Sequence, residues 1–269
     1  MSQFDYLLNK ILESKIEKEP FEHIIIEDFF TAEHFAKIQK SKQIKLKKLQ
    51  SNKELLQELA KCGYRAIPFP GSITNEKEYL KFLADGKYKR SNIKGYGTDV
   101  IEGYGITYRL KKIDDIFLID LMDFFESKNW LDAIADKFMV TDPTSYEGGI
   151  QKNLKGYEIS PHPDTSRKAL TWMVNIYTNS GDVTNLDMHT HLCEFKPPYD
   201  YIEKFWANND VDPCWVPWDW ANTVKRTNTN NSISLFKPST DTLHAVRVNE
   251  DHLTDQRNQI YGNLWYEKP

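Results

Sequence analysis

The chain has 269 residues, of which 40% are hydrophobic and 28% charged, and a formal net charge of -4. A chain of this length can bury roughly three quarters of the surface its unfolded form exposes, so a sizeable core is available. The near-neutral balance, with neither sign dominating one half, gives no strong electrostatic pull toward nucleic acid or a membrane. Three cysteines, Cys62, Cys193 and Cys214, are scattered without a CxxC pair, which argues against a zinc ribbon or a disulfide framework.

Phe4, Leu7, Leu8, Ile11 and Leu12 recur at helical spacing and predict an amphipathic helix over 3–17, ended before Pro20. This N-terminus lacks the apolar core and cleavage site of a signal peptide, so a cytoplasmic protein is expected. His23 to Ile26 read as a short strand, and Thr31 can cap a helix over about 32–42. The basic run at 40–49 reads as a solvated helix face. Further helical patterns cover 52–62, 75–85 and 114–138, the last broken near Asn129, and "GYGITYRL" at 103–110 reads as a strand. Asp120 and Asp123 interrupt the most apolar long segment, which excludes it as a membrane span.

After residue 145 the pattern changes. Short β-branched or aromatic runs, among them "GYEIS", "ALTWMVNIYT", "MHTHLCEF", "SISLFKP" and "LHAVRV", are separated by Gly, Asn, Asp and Pro clusters. With no helices between them, the runs suit an antiparallel barrel or sandwich rather than a parallel sheet. A single domain over 1–269 is expected, with 1–140 as helix-rich support and 141–269 as the β core.

The chemistry concentrates in "GYEISPHPDTSRKALTWMVNIYTN", residues 156–179. His162 and Asp164 lie two apart, so on an extended segment both side chains leave the same face and can occupy neighbouring positions on a divalent metal. His244 in a later strand offers a third ligand. Two histidines and a carboxylate leave one face of an octahedral iron open. An HxD pair alone is weak evidence, and "MHTH" offers a rival, since His189 and His191 could enter a cupin-like site instead.

Taken together these segments resemble the Fe(II)- and 2-oxoglutarate-dependent oxygenases, in their prolyl-hydroxylase-like branch. "PFEHIIIEDFFTAEHF" is similar to that family's entry strand and helix, and "LMDFFESKNWLDAIADKF" to the helical segment before its barrel. The HxD segment, "VPWDWANTVKRTNTNNSISLFKPSTDTLHAVRV" and "RNQIYGNLWY" follow in the family's order. The fold implied is a jelly roll, or double-stranded β-helix, buttressed by N-terminal helices.

The activity implied is hydroxylation of an unactivated C–H bond in an amino acid, a peptide or another small molecule, consuming O₂ and releasing succinate and CO₂. His162, Asp164 and His244 would hold Fe(II). Arg257, with Tyr177 beside it, would hold the distal carboxylate of 2-oxoglutarate. Arg167 and Trp218 would line the substrate pocket. Two departures stand out: the glycine pair before the strand facing HxD is missing, and Arg257 follows His244 by thirteen residues, leaving Arg247 as a competing anchor. A cupin-like enzyme using His189 and His191, and a non-catalytic jelly-roll binding module, remain the alternatives. Nothing in the sequence selects the substrate or the oligomeric state.

Overall fold

The computed structural model describes residues 2–86, 103–178, 181–209 and 211–267. Asn179, the last residue of the segment 156–179 that carries the HxD pair, lies outside them. The chain begins with helix α1 (Tyr6–Glu13), strand β1 (His23–Ile26), helices α2 (Ala32–Lys40) and α3 (Asn52–Lys61), strand β2 (Tyr64–Ala66) and helix α4 (Glu76–Asp85). Strand β3 (Thr107–Leu110) and helices α5 (Ile116–Glu126) and α6 (Lys128–Lys137) follow. The rest is β4 (Thr144–Asn153), β5 (Glu158–His162), β6 (Lys168–Asn175), β7 (Thr190–Phe195), helix α7 (Tyr201–Ala207), β8 (Ala221–Thr227), β9 (Ser232–Phe236), β10 (His244–Arg247) and β11 (Arg257–Tyr266).

The helix starts follow local chemistry. Side-chain oxygens of Thr31, Ser51, Asn75, Asp115 and Ser127 accept from the first-turn amides of α2 to α6. Ser127 both ends α5 and caps α6, so the break falls two residues before the expected Asn129. Strands β2, β4 and β8 and helix α7 were not anticipated. In β4 a polar, glycine-bearing sequence hides a ten-residue strand.

The strands form two antiparallel sheets, one of seven in the order β1-β9-β6-β11-β4-β3-β2 and one of four in the order β5-β10-β7-β8. The N-terminal part is therefore more than a cover, since β1, β2 and β3 join the large sheet. One face of that sheet packs on the helices. Leu170, Trp172, Val174, Ile260 and Leu264 meet Leu121, Phe125 and Trp130 there, with the Phe125 and Trp172 rings 4.7 Å apart. The alternating residues of the same strands, including Arg109, Gln151, Thr171, Arg257 and Asn263, turn instead toward the small sheet and line a cavity.

Gly262 in β11 lies directly under the Trp172 indole, where a Cβ would collide with the ring. Both sides are held, because Trp172 is fully buried. Gly262→Ala should cost about 1–3 kcal/mol through forced repacking, read as a lower urea midpoint at an unchanged slope.

Candidate metal centre

Antiparallel pairing sets His244, the first residue of β10, opposite His162, the last of β5, in the small sheet. Their rings lie 4.3 Å apart. Just before this pair the register slips: Val246 pairs with Ile159, so β5 spends one more residue than β10 over the interval. Strict alternation from Tyr157 and Ile159 would turn His162 out of the cavity that those two residues line. The extra residue, a β-bulge, brings it back in. Asp164 follows in the turn into β6, and one ligand atom from each of His162, Asp164 and His244 falls within 4.8 Å of the others.

Each histidine has its tautomer fixed by its own backbone. His162 Nδ1 lies 2.8 Å from the Ser160 carbonyl and His244 Nδ1 3.0 Å from that of Thr242. A carbonyl only accepts, so each Nδ1 carries the proton and each Nε2 keeps a lone pair for the centre. Burial, followed by the neighbouring His244, pushes the His162 pKa down to about 3, and burial lowers that of His244 as well. Both are neutral near pH 7, the form a metal requires.

Asp164 is held in the opposite sense. Burial alone would raise its pKa, but the Lys168 ammonium, joined in acid by the protonated imidazoles of His244 and His162, outweighs it and holds the carboxyl well below the usual range. Lys168 Nζ donates to Oδ1 at 2.8 Å and Thr171 Oγ1 to Oδ2 at 2.7 Å. The carboxylate is thus ionised and fixed at both oxygens, with His244 Nε2 3.9 Å from Oδ2.

Arg257 opens β11 and lines the same cavity, of about 150 Å³, as the triad. Arg257 is 2% exposed, and its guanidinium donates to the Met188 carbonyl at 2.7 Å, to Thr190 Oγ1 at 2.8 Å and to Asn153 Oδ1. All three acceptors are neutral. Arg247, its competitor, lies on the outer face of the small sheet, over the Trp218 ring and 3.6 Å from Asp187.

Three expected side chains sit elsewhere. Tyr177 is fully buried but does not line the cavity; its hydroxyl donates to Asn175 Oδ1 at 3.1 Å and lies beside Arg257, which it braces. Tyr157 and Tyr261 are the phenols that line the cavity with Arg257. Trp218 is on the outer face, donating to Glu158 at 2.7 Å, and Trp215 is the tryptophan of "CWVPWDW" that reaches a cavity beside the triad. Arg167 is exposed, whereas Lys168 lines the cavities. The β6–β11 register slips where Trp265 pairs with Lys168, and this second bulge, at Ala169, turns Lys168 inward.

The rival histidines do not converge. His189 Nε2 faces the Val183 carbonyl at 2.6 Å, while His191 is on the outer face against Trp218 and Thr223. Among the described residues, His162, Asp164 and His244 form the one cluster of this kind.

No protein-family model and no curated protein sequence matches the chain significantly. Solved structures similar to it include a Pseudomonas putida prolyl-4-hydroxylase, 9% identical with a TM-score of 0.44, over 99% of this chain and 100% of that one. A prolyl hydroxylase from Trichoplax adhaerens, in complex with a hypoxia inducible factor peptide fragment, is 10% identical with a TM-score of 0.45, over 97% and 88% of the two chains. A 2OG-Fe(II) oxygenase family oxidoreductase from Burkholderia pseudomallei is 8% identical with a TM-score of 0.30, over 82% and 94%. Likenesses this distant carry no functional argument, and the triad stands on its own geometry.

The buried imidazoles give a pH signature. His162 is pushed down to about 3 and His191 and His252 to about 4, in each case mainly by burial, from an ordinary value of 6.5. Below pH 6.5 the unfolded chain takes up protons that the folded chain refuses, so stability is present above that pH and is lost as pH falls through it. The metal-free protein should lose Tm between about pH 6.5 and 5, above the carboxylate range. A level Tm across that interval would contradict the burial of these rings.

Proposed function

We propose that the protein is an Fe(II)- and 2-oxoglutarate-dependent dioxygenase that hydroxylates an unactivated C–H bond, its two sheets forming a double-stranded β-helix. The observation that carries this reading is Arg257. A guanidinium cannot shed its charge, and this one is buried against neutral acceptors in the cavity that the His/Asp/His triad also lines. A small dicarboxylate able to reach both would complete the guanidinium and chelate a metal.

The donor set fits ferrous iron. Two imidazole nitrogens and one carboxylate oxygen suit a borderline divalent ion and leave other positions for a chelating keto acid and O₂. His162, Asp164 and His244 would hold the ion. When bound, iron would activate O₂, the oxidant, and 2-oxoglutarate would supply two of the electrons O₂ takes up, leaving as succinate and CO₂.

The chain's own work is binding and exclusion. Arg257 offers a charge-assisted anchor to the distal carboxylate, Tyr177 and Thr190 keep the guanidinium in place, and Tyr157 and Ile159 close the wall around it. Because Asp164 occupies the carboxylate position, the third protein ligand is present and no site is free for a halide.

No described helix is long and apolar enough to cross a membrane. The cupin-like alternative loses its geometric basis, since His191 points away from the cavity.

The test is Fe(II)-dependent turnover of 2-oxoglutarate to succinate without added substrate. His162→Ala and His244→Ala should abolish it and the visible spectrum of bound Co(II), while His191→Ala keeps both. Arg257→Ala should keep the Co(II) spectrum and raise the KM for 2-oxoglutarate roughly a hundredfold, in keeping with the loss of a buried charge pair. Turnover that survives His162→Ala would overturn the assignment.

A further inference from the structure

A larger cavity, of about 810 Å³, opens beside the triad, walled by the large sheet on one side and by the segments around Phe69 and Trp215 on the other. Its hydrogen-bonding inventory is unbalanced. Glu147 spends one oxygen on Arg109 at 2.7 Å and the other on the Trp265 indole at 3.1 Å. Asp164 spends its two on Lys168 and Thr171. Of the wall's carboxylates, Asp212 alone has no such partner among the described residues.

Donors are left over. The Lys168 ammonium carries three N–H groups and gives one to Asp164; its side chain is 17% exposed, with no second acceptor. Arg109 Nε and Trp215 Nε1 are buried without a partner, and Lys111 pairs with no acid among the described residues. Buried donors left unmade cost free energy and call for an acceptor from outside the chain. Phe69, Trp215 and Trp265 add apolar surface around them.

We propose that this cavity takes a substrate bearing a carboxylate, anchored by Lys168 next to the metal ligands, with the substrate's apolar part against the aromatic wall. The inference rests on the oxygenase reading for the cavity's role, and it names the substrate class. The carboxylate could belong to a free or N-acylated amino acid or to the C-terminus of a peptide. The chemistry at Lys168 is the same in each case: an ammonium donating to an anion from which water is largely excluded.

The test uses protein loaded with Fe(II) and saturating 2-oxoglutarate without oxygen. It is titrated with matched pairs: the standard amino acids and their N-acetyl derivatives, each as acid and as primary amide, and short peptides with free or amidated C-termini. Binding is read by calorimetry and by tryptophan fluorescence, which Trp215 and Trp265 should report. At least one acid should bind about tenfold or more tightly than its amide, and the arm in which it appears separates the amino acid from the peptide. Lys168→Met should remove the preference and Lys168→Arg should keep it.

A panel in which no acid outbinds its amide overturns the proposal, as does a preference that survives in Lys168→Met. If the Met variant does not fold, the acid–amide comparison in the native protein decides. Carboxylate selectivity without 2-oxoglutarate turnover would sink the oxygenase reading alone. Turnover without selectivity would sink the carboxylate subsite alone.

Discussion

The cross-strand pair of His162 and His244 is the constraint on which the rest of the centre turns. Two imidazoles with centroids 4.3 Å apart tolerate burial only while both are neutral, since two protonated rings there would repel in a dry site. Neutrality comes from the desolvation that lowers both pKa values, while the backbone carbonyls, which pull weakly the other way, fix each tautomer by accepting from Nδ1–H. Those carbonyls belong to the residues two positions upstream. The strand that places each ring therefore also orients it, and both Nε2 lone pairs face Asp164 without help from distant elements.

The large sheet carries a buried cation on each face, and the contrast between the two is informative. Lys152 and Asn258 pair across β4 and β11 on the helix side, next to Asn153 and Arg257 on the cavity side. Lys152 donates to the Ile44 carbonyl at 2.6 Å and to the side chains of Gln256 and Asn258, and burial pushes its pKa down to about 7. An amine in that position can give up its proton and become a neutral packing group. Arg257 has no such release, so its charge persists against neutral oxygens. One buried cation can be neutralised within the chain, and the other keeps a charge that no anion among its hydrogen-bond partners offsets.

What the sequence made legible was local. Period-3.6 patterns and caps located α1 to α6, and the HxD spacing with a later strand histidine located the triad. What it hid follows from β-bulges, which alternation cannot register. Counting outward by twos from Thr171 puts Arg167 in the cavity and Lys168 outside, and the bulge at Ala169 reverses them. The bulge between Ile159 and His162 likewise puts Tyr157 on the same wall as the metal ligand, a pairing that an odd separation along an extended strand would forbid. Trp218 and Trp215 differ for another reason. Trp215 lies in an irregular stretch and Trp218 opens a three-residue 3-10 turn just before β8, too short for a periodicity to be read, and only the packed chain shows which of the two indoles faces inward.

Charge balance ties the metal centre to the substrate side. Without ligands, Lys168 offsets Asp164, and Arg109 offsets Glu147, so Arg257 is the surplus positive charge around the triad. A divalent ion adds two positive charges, and a dicarboxylate co-substrate removes two, which leaves the cavity one charge positive again. In a medium of low effective dielectric such an excess attracts an anion far more strongly than it would in water. In the proposed reading Arg257 is committed to the co-substrate, so the remaining attraction is expressed where N–H groups are still unspent, with the Lys168 ammonium as the charged one next to the triad. A monoanionic substrate would bring the loaded cavity to neutrality, and its amide would leave the excess in place.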